Sequence, residues 1–467
     1  MSGVIPPAIV WPLIVTLLLA MLPGKVGTRG YVVVALAGSL VTLLLSVLQA
    51  LSVVDAGSGG LWVHDRLAVA LALPLSVPGV LLTASLVAGV PPAPTDGWRR
   101  QLVAAQLLNA GAITATRADP LFLMLVGFVI MAGAASMLVS DRERPGHIAM
   151  LAGTLLTAWL GIAMFTAGLG APAGWSRLSA GPSVMHPALR MFGLLLLLLP
   201  MMLLAWIGSA SASGTRIPDP ARADPVVGPV LLPVLFALPA LTVALRLHAL
   251  PESDPLLLRL EIGVQVASGL SMMLLAVCLM PGRRTLGGRV ALAAMVQVGA
   301  AAVGIGVGGT GGVAASVLIL SFLSLGLPLA LLPSMSGAGS VMRRLAVLSL
   351  AGLPPFGPFV AAFVLLLRLF ADMPILAVSV LAAVCATAIG LLSSLRRARH
   401  DSPDVDRSGS RVSRVAPLAS GFVALALLAS LGLAMPSSLS GWLLGVSETF
   451  SGASWPARNP ALRDTVP

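Results

Sequence analysis

The chain has 467 residues, 57% of them hydrophobic and only 10% charged, with a mean hydropathy of +1.00. That composition excludes an ordinary soluble enzyme and describes a polytopic membrane protein. The net charge of +11 sits in short basic clusters between apolar runs, which fits membrane loops and excludes a nucleic-acid-binding domain.

The apolar runs are long and continuous, unlike the short alternating strands of a membrane barrel, so the expected fold class is all-α. In chain order, helices are expected near 8–23, 31–54, 67–90, 101–115, 120–140, 148–169, 189–210 and 226–245. Others follow near 260–280, 289–308, 312–333, 345–371, 374–395 and 416–436. These make about fourteen spans of roughly the 20 residues that a bilayer requires. The first has no basic region before it and reads as a membrane helix, not a cleaved signal. The run 101–115 is short and polar, with Gln101, Gln106 and Asn109. The glycine-rich stretch 304–312 lacks the Lys-Ser/Thr of a phosphate loop and reads as a tight turn.

Arginine-rich and arginine-poor loops alternate along the chain. Most of the 28 Lys and Arg residues fall on one side, from Lys25 and Arg29 to the Arg396–Arg414 segment. The positive-inside rule makes that side cytoplasmic and puts both termini outside, in a multi-pass protein of the cell's inner membrane. The hydrophilic stretch 396–415 reads as a flexible cytoplasmic loop within a single transmembrane domain spanning 1–467.

Catalytic and cofactor-binding signatures are absent: no HExxH, no GxGxxG opening a βαβ unit and no CxxC pair. The expectation is therefore no catalytic site, no metal and no cofactor in this chain, with quinone contacted only through neighbouring subunits, if at all. The five histidines (His64, His147, His186, His248 and His400) lie at helix ends or in loops, singly. Cys278 and Cys385 lie inside apolar runs and read as helix-packing residues.

Prolines within the apolar runs mark breaks. Pro233 and Pro239 interrupt one span, and Pro328 and Pro333 end another. The cluster Pro354, Pro355, Gly357 and Pro358 divides a third. Proline removes a backbone donor, and irregular backbone survives at membrane depth only inside protein or beside a cavity. Discontinuous helices of this kind serve ion transporters.

The segment Leu348–Phe363 (LSLAGLPPFGPFVAAF) resembles the AGLPPFxGFxxKF signature of the antiporter-like membrane subunits of complex I, group 4 hydrogenases and Mrp antiporters. Arg216–Pro225 (RIPDPARADP) is similar to that family's WLPDAHxxAP, Leu125–Met131 (LVGFVIM) to its FVGWExM, and Val296–Gly299 (VQVG) to its SQxG. His64-Asp65 ahead of a helix also fits the family. The matches keep their order over some 300 residues, and the resemblance implies the family's fourteen-helix fold with broken helices and its role in proton translocation.

The resemblance also exposes a loss. The family's relay glutamate corresponds to Val129, and its relay lysines correspond to Ile207, Leu238, Leu329 and Ala362. A buried lysine can cycle a proton because desolvation lowers its pKa, and an aliphatic residue cannot. The one lysine, Lys25, is in a loop. The polar residues left at plausible depth are Gln106, Asn109, Thr242, Gln265, Gln297 and Arg368. The amides are expected to hydrogen-bond between helices, and Arg368 to reach an interface. The chain is thus expected to be a degenerate member that has lost its relay. It would act as a scaffold or coupling subunit in a complex-I-like or hydrogenase-like redox complex, with other membrane subunits and the lipid bilayer as partners. The alternative is an Mrp-like cation/proton antiporter or an inorganic-carbon-uptake subunit.

Overall fold

A computed structural model describes residues 5–22, 27–51, 62, 66–88, 96–138, 144–169, 255–283, 286–331, 338–400 and 411–433, with scattered residues in 189–196, 241–246 and 440–447. The described residues are helical, with one isolated β-bridge between Trp62 and Ala118. The first half contains α1 (Pro7–Met21), α2 (Thr28–Ala50), α3 (Arg66–Ala88), α4 (Asp96–Arg117), α5 (Leu121–Leu138) and α6 (Arg144–Leu169). The second contains α7 (Pro255–Leu279), α8 (Leu286–Val307), α9 (Gly309–Leu331), α10 (Ala338–Leu350), α11 (Gly357–Asp372), α12 (Pro374–His400) and α13 (Arg411–Leu433). Twelve of the expected spans therefore have helices, α10 and α11 being the two pieces of one span. The spans 189–210 and 226–245 lie outside the described residues, save for a few helical positions such as Leu241 and Thr242.

Each half is organised around one helix that neighbours enclose on all sides. In the first half this is α4, surrounded by α1, α2, α3 and α5 and buried almost continuously from Ala104 to Arg117. In the second it is α8, buried from Gly288 to Val307 and flanked by α7, α9 and α12. Both are rich in Ala and Gly, and small residues let helix backbones approach closely in a medium where no hydrophobic force drives helices together. A Cβ on Gly127 of α5 would lie 2.6 Å from the backbone nitrogen of Ala115 on α4, and one on Gly299 of α8 would lie 2.6 Å from the Gly269 carbonyl oxygen on α7. Helix α3 packs against α9 and α13 and so joins the halves.

Five of the described helices are long and apolar enough to cross a membrane: Thr28–Ala50, Arg259–Gly282, Leu286–Val307, Gly309–Ala330 and Pro374–Arg396. Leu17, Val33, Leu44, Ile375 and Phe422 are exposed on the outer helices. An all-helical bundle with an apolar exterior satisfies its backbone internally and suits lipid, and the chain is a multi-pass membrane protein.

Several boundaries differ from the sequence expectation. The glycine-rich turn contracts to Gly308 and Gly309, with φ of 68° and 69°, a left-handed conformation that glycine adopts without a Cβ penalty. The rest of that run stays helical, so Gly304 and Gly312 can press together across the α8–α9 hairpin. Helix α4 runs from Asp96 to Arg117, longer at both ends than the expected 101–115, with Gln106 and Arg117 donating to α2 from its buried face. Helix α9 continues through Pro328 instead of ending there, and Pro333 is outside the described residues. Helices α12 and α13 extend to His400 and from Arg411, which narrows the polar stretch 396–415 to a central 401–410 outside the described residues. Cys278 and Cys385 are free and exposed on α7 and α12, on the outer surface and not in a packed seam.

Gly299→Val is expected to destabilise the fold by about 1–3 kcal/mol, because the added carbons would meet the Gly269 carbonyl oxygen, a backbone atom that cannot yield as the Met273 side chain can. Gly133→Ala, with nothing within 4 Å, is the neutral control. Thermal unfolding of the two purified variants in one detergent measures the difference.

Candidate functional site: the broken helix

Helix α10 stops at Leu350 because the chain after it cannot continue a helix. Gly352 takes φ of 68°, its N–H bonds the Ser349 carbonyl at 2.9 Å, and the Leu353 N–H reaches the Leu348 carbonyl at 3.4 Å. Those two bonds form a Schellman cap, which pairs carbonyls that the helix end would otherwise orphan. The Pro354–Pro355 bond is cis, and both prolines are exposed. Phe356 then turns back inward and caps α11, with Pro358 in the first helical turn, where its missing N–H leaves nothing unpaired.

One carbonyl escapes the cap. In an uninterrupted helix Leu350 would bond the N–H of residue 354, and Pro354 has none. Gln297 supplies the substitute, its Nε2 donating to the Leu350 oxygen at 3.4 Å. Gln297 is 4% exposed and stands at the middle of α8, so the repair lies deep in the bundle. The break is packed from two further sides. The Phe322 ring on α9 fills the space over Gly357, and Gly432 on α13 lies directly against the Pro355 carbonyl, with no room for a Cβ. The Ser349 hydroxyl is buried beside the break without a hydrogen-bond partner among the described residues.

The other candidate positions separate under this geometry. Ala362 on α11 and Leu329 on α9 are buried on helices that pack together. Val129, the position matched to the family's glutamate, is 55% exposed on α5. Ile207, Leu238, Pro233 and Pro239 lie outside the described residues, whereas Thr242 is helical and buried. Gln265 on α7 is 2% exposed, and its Nε2 has no partner among the described residues. Gln106 on α4 bonds the Ala35 carbonyl and Ser39 on α2, the interhelical role expected of it, whereas neither polar atom of Asn109 has a partner among the described residues. Arg368 stands four residues before the end of α11, pairs with Asp372 one turn on, at 2.8 Å, and lies against Gly309 at the α8–α9 turn. The carboxylate offsets the cost of placing a cation beside the positive N-terminal end of α9.

Several buried ionisable residues escape a reading by sequence, Arg117 and Glu261 among them. Arg117 is 1% exposed at the end of α4, where a cation is favoured by the helix dipole, and its Nη1 donates to Gln49 Oε1. Its signal was the row Gln106, Asn109, Ile113 and Arg117, which recurs at helical spacing along one face. Glu261 is 5% exposed on α7, one turn before Gln265. Gln265 and Val266 pack against Gly306 near the far end of α8, so Glu261 stands well away from the level of Gln297. Among the described residues, no group of three or more His, Cys, Asp and Glu could hold a metal. The site can therefore fix an interrupted backbone and bind polar groups, but its aliphatic residues cannot store a proton.

No protein-family model and no curated protein matches the sequence. Solved structures do. A chain of the membrane-bound sulfane sulfur reductase, an archaeal respiratory membrane complex, superposes with a TM-score of 0.74 at 15% identity, covering 95% of this chain and 97% of that one. A chain of the Mrp complex from Dietzia sp. DQ12-45-1b gives 0.70 at 16% identity, with 98% of both chains covered. A chain of respiratory complex I from Thermus thermophilus gives 0.69 at 18% identity, covering 94% and 98%. The chain shares the fold of these chains of membrane complexes. The correspondence runs almost end to end, so it is the whole subunit fold that is shared, not one half of it.

Replacing Gln297 with Leu is expected to cost about 1–3 kcal/mol, since it leaves the Leu350 carbonyl buried and unpaired. The same change at exposed Val129 should cost far less. Thermal unfolding checks the pair.

Proposed function

We propose that the chain is a membrane subunit of a multi-subunit redox complex of the complex-I-like or hydrogenase-like kind, in which it serves as a scaffold or coupling element and does not carry protons itself. The observation behind this is the state of the break. Its architecture is intact, with capped ends, a side chain repairing the lost backbone bond and packing on three helices, while the buried position that would use it is Ala362. Burying a charge costs far more than burying an aliphatic group, so once transport is not selected, apolar replacements stabilise the bundle. The chain takes no cofactor of its own on this reading, and any quinone is met through a neighbour. Arginine-rich loops favour the inner membrane with both termini outside.

The second reading, an Mrp-like antiporter or inorganic-carbon-uptake subunit, draws on the full mutual coverage with the Mrp chain. It is opposed by the aliphatic residues at 129, 207, 238, 329 and 362.

Affinity purification of the tagged protein in mild detergent, followed by mass spectrometry, separates the two. Redox-module and other antiporter-like subunits in fixed ratio support the scaffold; antiporter subunits alone, or a single peripheral partner, favour transport. In proteoliposomes holding this chain alone, Ala362→Lys is expected to produce no proton flux above the parent. A flux in the parent that Gln297→Leu abolishes would overturn the inert-relay reading.

A further inference from the structure

A second polar cluster lies between α2, α3 and α4. Gln106 and Asn109 are neighbours one turn apart on α4, 1% and 3% exposed. The Gln106 Nε2 donates to Ser39 Oγ at 2.7 Å and to the Ala35 carbonyl at 3.1 Å. Ser39 Oγ is 2.9 Å from Thr83 Oγ1, which in turn donates to the Gly79 carbonyl at 2.7 Å. The Thr83 proton is thereby committed, so Ser39 must be the donor to Thr83. Every hydrogen from Gln106 to Gly79 has a defined direction.

That directionality leaves a defined remainder. Gln106 Oε1, Asn109 Oδ1 and Asn109 Nδ2 are all buried and have no partner among the described residues. Asn109 is held over Gly79, where a Cβ would lie 2.8 Å from its Nδ2. Satisfying the three atoms takes two donated hydrogens and one acceptor. A cation could bind the two oxygens but could not accept from Nδ2, and this cluster offers no carboxylate to offset its charge. An anion could accept but not donate. Water has two hydrogens and two lone pairs, and buried waters characteristically make about three bonds to such groups.

We propose that Gln106 and Asn109 hold a resident water molecule that links α4 to the Ser39–Thr83–Gly79 chain and completes the hydrogen bonding of this cluster. The inference concerns the first half of the bundle and stands whether or not the chain proves to be a scaffold.

Single-particle imaging of the full-length protein in lipid nanodiscs, at a resolution that shows ordered water, tests it in sodium-containing and sodium-free buffers. The expected result is a density peak within hydrogen-bond distance of Gln106 Oε1 and both Asn109 polar atoms in either buffer. An empty site, where waters are visible elsewhere in the protein, overturns the proposal, and so does a peak that depends on sodium. Asn109→Leu should abolish the peak, while Asn109→Ser, which keeps a donor and an acceptor, should retain it. A peak that survives Asn109→Leu also overturns the proposal. If Asn109→Leu does not fold, loss of the peak in Gly79→Ala, whose new methyl displaces the Asn109 amide, is expected in its place, and its persistence counts against the proposal.

Discussion

The fold depends on one requirement, that each backbone polar group inside an apolar medium find a partner within the chain. Continuous helices meet it automatically. The interrupted span between α10 and α11 does not, and its surroundings answer the shortfall. A left-handed Gly352 closes the Schellman cap, and Gln297 provides the hydrogen that Pro354 cannot. The placement of α8 follows from this. A helix that carries the repairing amide at its midpoint must lie in the bundle interior, and its Ala- and Gly-rich sequence allows it to be enclosed there.

Polar side chains in this protein belong chiefly to architecture. Gln106 ties α4 to α2, Arg289 of α8 donates to the Gly390 carbonyl and Ser393 of α12, and Arg117 holds Gln49. These contacts join helices distant in sequence through hydrogen bonds, which in lipid do much of the work that apolar burial does in water. The arginines are suited to it, since a guanidinium keeps its charge and offers several donors in a fixed fork. The same property makes them unsuitable for passing a proton on.

Most of the architecture was legible in the sequence because membrane helices announce themselves by length and hydropathy, and because a Pro-Pro-Phe-Gly-Pro cluster has few structural solutions. What escaped depended on tertiary context. Residues 101–115 looked short because their polar residues counted against them, yet Gln106, like Arg117 just beyond, donates to partners on α2 that local pattern does not reveal. Val129 is exposed on α5, and which face of an all-apolar helix is buried leaves no mark on composition. The Arg368–Asp372 pair joins two residues one turn apart on α11, a partnership that the apolar run around them does not advertise. Gln297 was visible as a polar residue, but its target, a carbonyl 53 positions further on, was not.

The contact between Gly432 and the Pro355 carbonyl has a consequence for biogenesis. The helix that seals the break is made well after the break itself. At ribosomal speed the interval is on the order of ten seconds. Through that interval the side of the break that Gly432 later covers stays open, and the arrival of α13 closes it. Assembly of the bundle is in this respect ordered from the N-terminal side, with its weakest point covered late.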